Sequence, residues 1–177
     1  MPAPRRASPN PGAAGGYVLR PGEGDSVWSL GGHFTTKAVG EDTDRHFSLV
    51  EALAWRSTEP PLHIHHREHE AWYVLEGQIT LQVGDQLMQA TAGCFAFAPM
   101  GIPHAFTVDV EPTRVLVFAA PAGFEGFARE LGVPATDTTP PAWLGVPPRE
   151  VLGPVGERYG IEVVGPPLRA SMGGDAA

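Results

Sequence analysis

The chain has 177 residues, 42% of them hydrophobic, and carries 12 basic against 20 acidic residues for a formal charge of −8. That length suffices for one domain with a sizeable core, while the acidic balance and the lack of any Lys/Arg-rich block argue against nucleic acid and anionic membranes as partners. The single cysteine, Cys94, rules out an internal disulfide and a sulfur-rich metal site.

Residues 1–16, MPAPRRASPNPGAAGG, are rich in Pro, Gly and Ala and carry no periodic apolar pattern, which predicts a disordered leader. Its two arginines are not followed by an apolar run, so no secretory signal is expected. The longest apolar stretch, around residues 115–118, falls far short of the ~20 residues that span a bilayer, and a cytoplasmic protein is the expectation.

From about residue 27 to residue 119, short alternating runs are divided by turn residues, the spacing of an all-β sandwich or barrel. Alternation is clearest at Ile79, Leu81 and Val83, and again where Phe95 and Phe97 alternate with the small Cys94, Ala96 and Ala98. Glu76-Gly77, Gly84-Asp85 and Ala92-Gly93 read as turns between consecutive antiparallel hairpins, since glycine reaches positive φ without steric penalty. The barrel is expected over residues 17–122. Residues 123–177 read as a helical extension ending in a flexible tail: Phe124, Phe127, Ala128 and Leu131 recur at helical spacing, and Gly132 ends the helix. A second helix begins after Pro147 and Pro148. Gly153-Pro154 predicts a break or kink in it before Tyr159, because proline removes a donor and clashes with the preceding turn.

The chemistry concentrates in two segments. His63 and His65, two apart on an expected strand, project from one face. Glu70 comes after a short polar turn and opens the alternating run Glu70, Trp72, Val74, so its carboxylate can face both imidazoles. With His104 from the second segment, these form a set that one metal ion could collect. His66 and His69, with Glu68 between them, offer a rival set, but parity turns His66 to the opposite side and His69 lies in the turn. They are expected to be solvent-exposed bystanders. His33 and His46 stand alone and read as structural, and Cys94 reads as a small core residue.

Residues 63–77 read HxH(x)4E(x)6G, and residues 93–104 read G(x)5PxGxxH, with 15 residues between them. This pair resembles the two signature motifs of the cupin superfamily, and the flanks are similar to single-domain bacterial cupins of the quercetin 2,3-dioxygenase-like type. The resemblance covers roughly residues 62–118. It departs at Val108, where the family often has asparagine four residues after the last histidine; that position is not a metal ligand. The resemblance implies a small antiparallel β-barrel of the jelly-roll, or double-stranded β-helix, type. It further implies that His63, His65, Glu70 and His104 point inward onto one divalent transition metal ion, and that the protein is a homodimer.

The ligand types leave the metal open, because imidazole suits Fe, Ni, Co, Cu and Zn and the carboxylate also admits Mn. Four protein donors would leave two positions on a six-coordinate ion, which argues for chemistry over a structural role. Trp72 and Val74 share the face of Glu70, and Phe106 shares that of His104, so an apolar substrate cavity is expected. Phe97 is a further substrate-binding expectation, beside Phe95, Phe47, Trp55 and Phe118. No Arg or Lys falls on the inward face of either motif, which favours a neutral substrate. The leading reading is a dioxygenase that takes a flavonol-like or other enolic aromatic compound and dioxygen, with Glu70 as general base. A non-catalytic cupin that senses or carries a small ligand or metal is the alternative. An isomerase or epimerase ranks third, because Tyr73 has the wrong parity to act opposite Glu70.

Overall fold

Residues 15–171 are described by a computed structural model, so nearly all of the expected leader and the last residues of the expected tail lie outside the described residues. Among the described residues, ten strands and three helices succeed one another. Strands β1 (Asp25–Ser29) and β2 (Gly32–Ala38) form a hairpin, turning through Leu30 and Gly31, both at positive φ. Strand β3 (Ser48–Ala54) alternates buried and half-buried residues, as expected for one face on the core. Then come β4 (Pro61–His65), β5 (His69–Val83), β6 (Gln86–Thr91), β7 (Phe95–Ala98) and β8 (His104–Ala120). The C-terminal part supplies α1 (Phe124–Leu131), β9 (Val133–Pro134), α2 (Arg149–Tyr159), β10 (Ile161–Pro167) and α3 (Leu168–Ser171).

All pairings are antiparallel, in the order β10-β4-β8-β3-β2-β1-β9, with β5 joined to β6, β7 and β8. The result is a rolled sheet of jelly-roll type whose hydrogen-bonded path does not close on itself. Strand β8 holds it together. It pairs with β5 from Ala120 to His104, with β3 at one end and with β4 at the other.

One expected turn is absent as such. Residues 70–74 and 79–83, read as separate strands, are one long strand whose register shifts between Val74 and Ile79. The shift changes parity, so Glu70, Trp72 and Val74 face inward before it and Ile79 and Leu81 after it. Gly77 makes the bend possible: its φ is +85°, and a side chain there would collide with the Thr113 hydroxyl. Residues 104–110 and 113–120 are likewise one strand. The Gly84-Asp85 turn is present as a tight hairpin, with Val83 opposite Gln86.

The C-terminal segment departs further from expectation. Helix α2 runs without a break past Pro154 to Tyr159, with Gly160 in the left-handed conformation at its end. Pro154 deletes a single intrahelical bond, and tertiary packing outweighs that loss. Leu152 is buried, the Phe127 and Tyr159 rings meet edge to face at 5.8 Å, and Glu130 of α1 receives Arg158 and the Tyr159 hydroxyl. Residues 161–167, expected to belong to a flexible tail, instead pair with β4 as β10. Arg169 fastens α3 to the barrel by a forked contact with the buried Glu59, which in turn accepts the Val108 N–H at 2.9 Å. Among the described residues, no helix is long and apolar enough to cross a membrane.

Candidate metal centre

Strand parity sets the first two donors. His63 and His65 sit two apart on β4, and their rings lie 5.1 Å apart. The loop between β7 and β8 is then pinned back onto this strand: the Gly101 N–H donates to the His65 carbonyl at 2.9 Å, and the Met100 N–H donates to His69 Nδ1 at 3.0 Å. That fastening brings the start of β8 beside β4, where His104 pairs directly with His63, ring centroids 4.4 Å apart. Glu70 arrives from β5 with its Oε2 at 3.1 Å from His104 Nε2 and 3.4 Å from His65 Nε2. One donor atom from each of His63, His65, Glu70 and His104 lies within 4.8 Å of every other.

The hydrogen bonds on the far side of each ring decide which nitrogen faces the cluster. His63 Nδ1 donates to the Pro61 carbonyl at 2.8 Å and His104 Nδ1 to the Ile102 carbonyl at 2.9 Å; a carbonyl only accepts, so the hydrogen is on Nδ1. His65 Nδ1 meets Glu68 Oε1 at 2.7 Å. The Nε2 lone pairs therefore converge on one another and on a carboxylate. Such an arrangement repels itself unless a cation or protons sit between the donors, and a divalent metal ion fits it.

Charge reinforces this reading. Burial, aided by the neighbouring His104 and His65 rings, pushes the His63 imidazole down to about 3, so it stays neutral and able to coordinate. Burial also opposes charge on His65 and on Glu70. For each it is outweighed: the Glu70 and Glu68 carboxylates hold His65 above its ordinary range, and the imidazoles hold Glu70 below the usual carboxylate range.

Glu68 does not belong with the bystanders. It is 4% exposed, and burial raises its carboxyl above the ordinary range against the pull of His65. Its role is to fix the ring and tautomer of His65 from behind. Gly123 leaves it room, since a Cβ there would approach Glu68 Oε2 to 2.8 Å. The sequence signal was an acid three residues after a histidine across a tight turn. His66 is exposed as expected, paired with Glu162 at 2.8 Å. His69 is exposed too, but it fastens the Met100 loop and stacks on Phe97.

A cavity, part of it open to solvent, reaches the cluster. Trp72 and Phe106 line it; Trp72 meets His104 edge to face at 5.7 Å. Val74 shares the inward face but packs in the core beyond the lining. Phe97 contradicts its expected role. The alternation of β7 is real, but the small Ala96 and Ala98 face inward while Phe97 and Phe95 stand outside, 45% and 66% exposed. Phe47 and Phe118 stack on each other away from the cavity, and Trp55 packs on Trp28. The far wall comes instead from the C-terminal segment: Phe124 and Phe127 of α1, Leu152 of α2, and Ile161 and Val163 of β10. The apolar spacing of α1 was legible in the sequence; its destination was not.

Residues 51–119 match the family model described as a cupin domain. Quercetin 2,3-dioxygenase of Bacillus subtilis is 32% identical over 124 residues, 70% of this chain and 37% of that protein. The enzyme of the same name from Aspergillus japonicus is 32% identical over 82 residues, 44% of this chain and 23% of that protein. The chain thus spans less than two fifths of the length of these curated relatives. An RmlC-like cupin from Shewanella frigidimarina superposes with a TM-score of 0.51 at 20% identity, covering 59% of this chain and 91% of that one. Fold and sequence together place the chain in the cupin superfamily, among proteins that resemble the quercetin 2,3-dioxygenases.

Proposed function

We propose that the protein is a metal-dependent dioxygenase of an enolic aromatic compound, with one divalent metal held by His63, His65, Glu70 and His104. The observation that carries this reading is the convergence of three Nε2 lone pairs and a carboxylate at the end of an apolar cavity. The similarity to quercetin 2,3-dioxygenases supports it. When bound, the metal would supply open positions for an enolate oxygen and for dioxygen and would lower the cost of ionising the substrate hydroxyl. The protein does the rest. Among the described residues Glu70 is the only carboxylate that lines the cavity, so its oxygen takes the hydroxyl proton as the substrate seats. Trp72, Phe106 and Phe124 bound the cavity with aromatic faces and exclude water from the reacting carbon. Among the described residues no Lys, Arg, Tyr, Asp or Cys lines it, so no proton-transfer group outside the metal-binding set stands opposite Glu70.

Oxygen uptake by protein reconstituted with Fe, Mn, Ni or Co, offered flavonols and aromatic 1,3-diketones, tests the reading. Uptake with at least one metal and one substrate is expected; none with any combination would leave a cupin that binds without turning over. Metal affinity should rise with pH across the neutral range. The proton that His65 holds above its usual range must leave before its nitrogen is free, so acid favours the proton and base favours the metal. Chelator competition at two pH values measures this, and tighter binding at the lower value would contradict it.

We further propose that a second copy covers the outer face of β7, β5 and β8. Phe95, Phe97, Tyr73 and Phe118 stand there with exposures of 66%, 45%, 44% and 38%, a contiguous aromatic patch on paired strands. Sedimentation equilibrium should give a dimer for the wild type and a monomer for Phe95→Glu combined with Phe97→Glu. A monomeric wild type would end that part of the proposal.

A further inference from the structure

We propose that the cavity selects a chelating enol carried on an otherwise apolar body, and selects against the same chelate bearing additional hydroxyls. This rests on the metal-dependent dioxygenase reading and sharpens its substrate class. The wall of the cavity sets the selection. Beyond His63, His65 and Glu70, the side chains that line it are aliphatic or aromatic except for Thr58. The Thr58 hydroxyl is largely engaged: it donates to the Gly31 carbonyl at 2.9 Å and accepts the Trp55 N–H at 3.0 Å, which leaves it a single acceptor lone pair and no proton to give. Trp72 adds an indole N–H, which donates but cannot accept. Pro60 and Pro61 have no N–H to offer, and the Pro61 carbonyl already accepts from His63 Nδ1.

A substrate hydroxyl placed in this cavity needs an acceptor for its proton, and among the described residues the remaining lone pair of Thr58 is the one lining side-chain acceptor away from the ligand cluster. Leaving such a group unpaired after stripping its water is unfavourable, and the discrimination an apolar pocket reaches against an added hydroxyl is modest, up to about a hundredfold. The chelating end would escape this penalty, because a metal held by His63, His65, Glu70 and His104 would take its oxygens and Glu70 its proton. Anionic bodies fail for a parallel reason, since among the described residues no Lys or Arg side chain lines the wall. The selecting surface is largely the C-terminal segment, through Phe124, Phe127, Leu152 and Ile161.

Two flavonols that share one chelate separate the possibilities. 3-Hydroxyflavone carries only the 3-hydroxy-4-keto unit, whereas quercetin carries the same unit plus hydroxyls on both ring systems. Dissociation constants for each would be measured with the metal-loaded protein by calorimetry, with metal-free protein as the control. At least about tenfold tighter binding of 3-hydroxyflavone, lost in the metal-free protein, is expected. Equal or tighter binding of quercetin would overturn the apolar-body selection while leaving the chelate reading standing. Absence of metal-dependent binding by either compound would overturn both.

Discussion

Replacing Glu70 with glutamine is expected to lower turnover by about 10²–10⁴-fold while the protein keeps most of its metal. The two effects separate because the carboxylate has two duties. As a donor it is one of four, and the Nε2 atoms of His63, His65 and His104 still converge when it is gone. As a base it has no substitute among the described residues, where no other carboxylate lines the cavity. Glutamine is nearly isosteric and can still offer a carbonyl oxygen, but it cannot take a proton at neutral pH. Metal analysis and oxygen uptake on one preparation make the comparison. A metal-loaded variant with the wild-type rate would show that the proton goes elsewhere, and equal losses of metal and rate would reduce Glu70 to a ligand.

Removing the carboxylate behind His65 should act on the metal instead. Glu68→Ala is expected to weaken metal affinity by roughly 10- to 100-fold, the usual cost of losing a histidine's outer hydrogen-bond partner. The 2.7 Å contact from His65 Nδ1 both orients the ring and keeps its hydrogen on the outer nitrogen, leaving Nε2 bare toward the cluster. Glu68→Gln separates these contributions, because an amide oxygen accepts the same hydrogen bond without the charge. Affinity close to wild type for the glutamine variant would assign the effect to orientation. Chelator competition at fixed pH reads out both variants, and an alanine variant that binds metal as tightly as wild type would remove Glu68 from the site.

The four donors are legible in the sequence because each rests on short-range parity or on a fixed motif. Two histidines at strand spacing must share a face, and the PxGxxH loop sets where the next strand begins. Local pattern cannot reveal where large and small side chains go when both faces of a strand have takers. On β7 the aromatics Phe95 and Phe97 look like the inward set, yet the inner face there lies against a crowded core and takes Ala96 and Ala98. Nor can a polar turn announce that one of its acids is buried. Glu68 reads as solvent-exposed until the His65 ring is known to sit behind it. The same limit applies to the tail. Pro154 argues against a continuous helix by local rules, and only contacts with α1, distant in the chain, reverse that outcome.

Four side chains from three strands converge, and their service to one cation can be read from metal content, by elemental analysis after reconstitution and desalting, of wild type and of His104→Ala. His104 is the donor contributed by the second motif, so its loss separates a shared site from a local pair on β4 and β5. One divalent ion per wild-type chain, and little or none in a folded variant, is the predicted result. A wild type that retains no ion, or a variant that retains it as tightly, would contradict it.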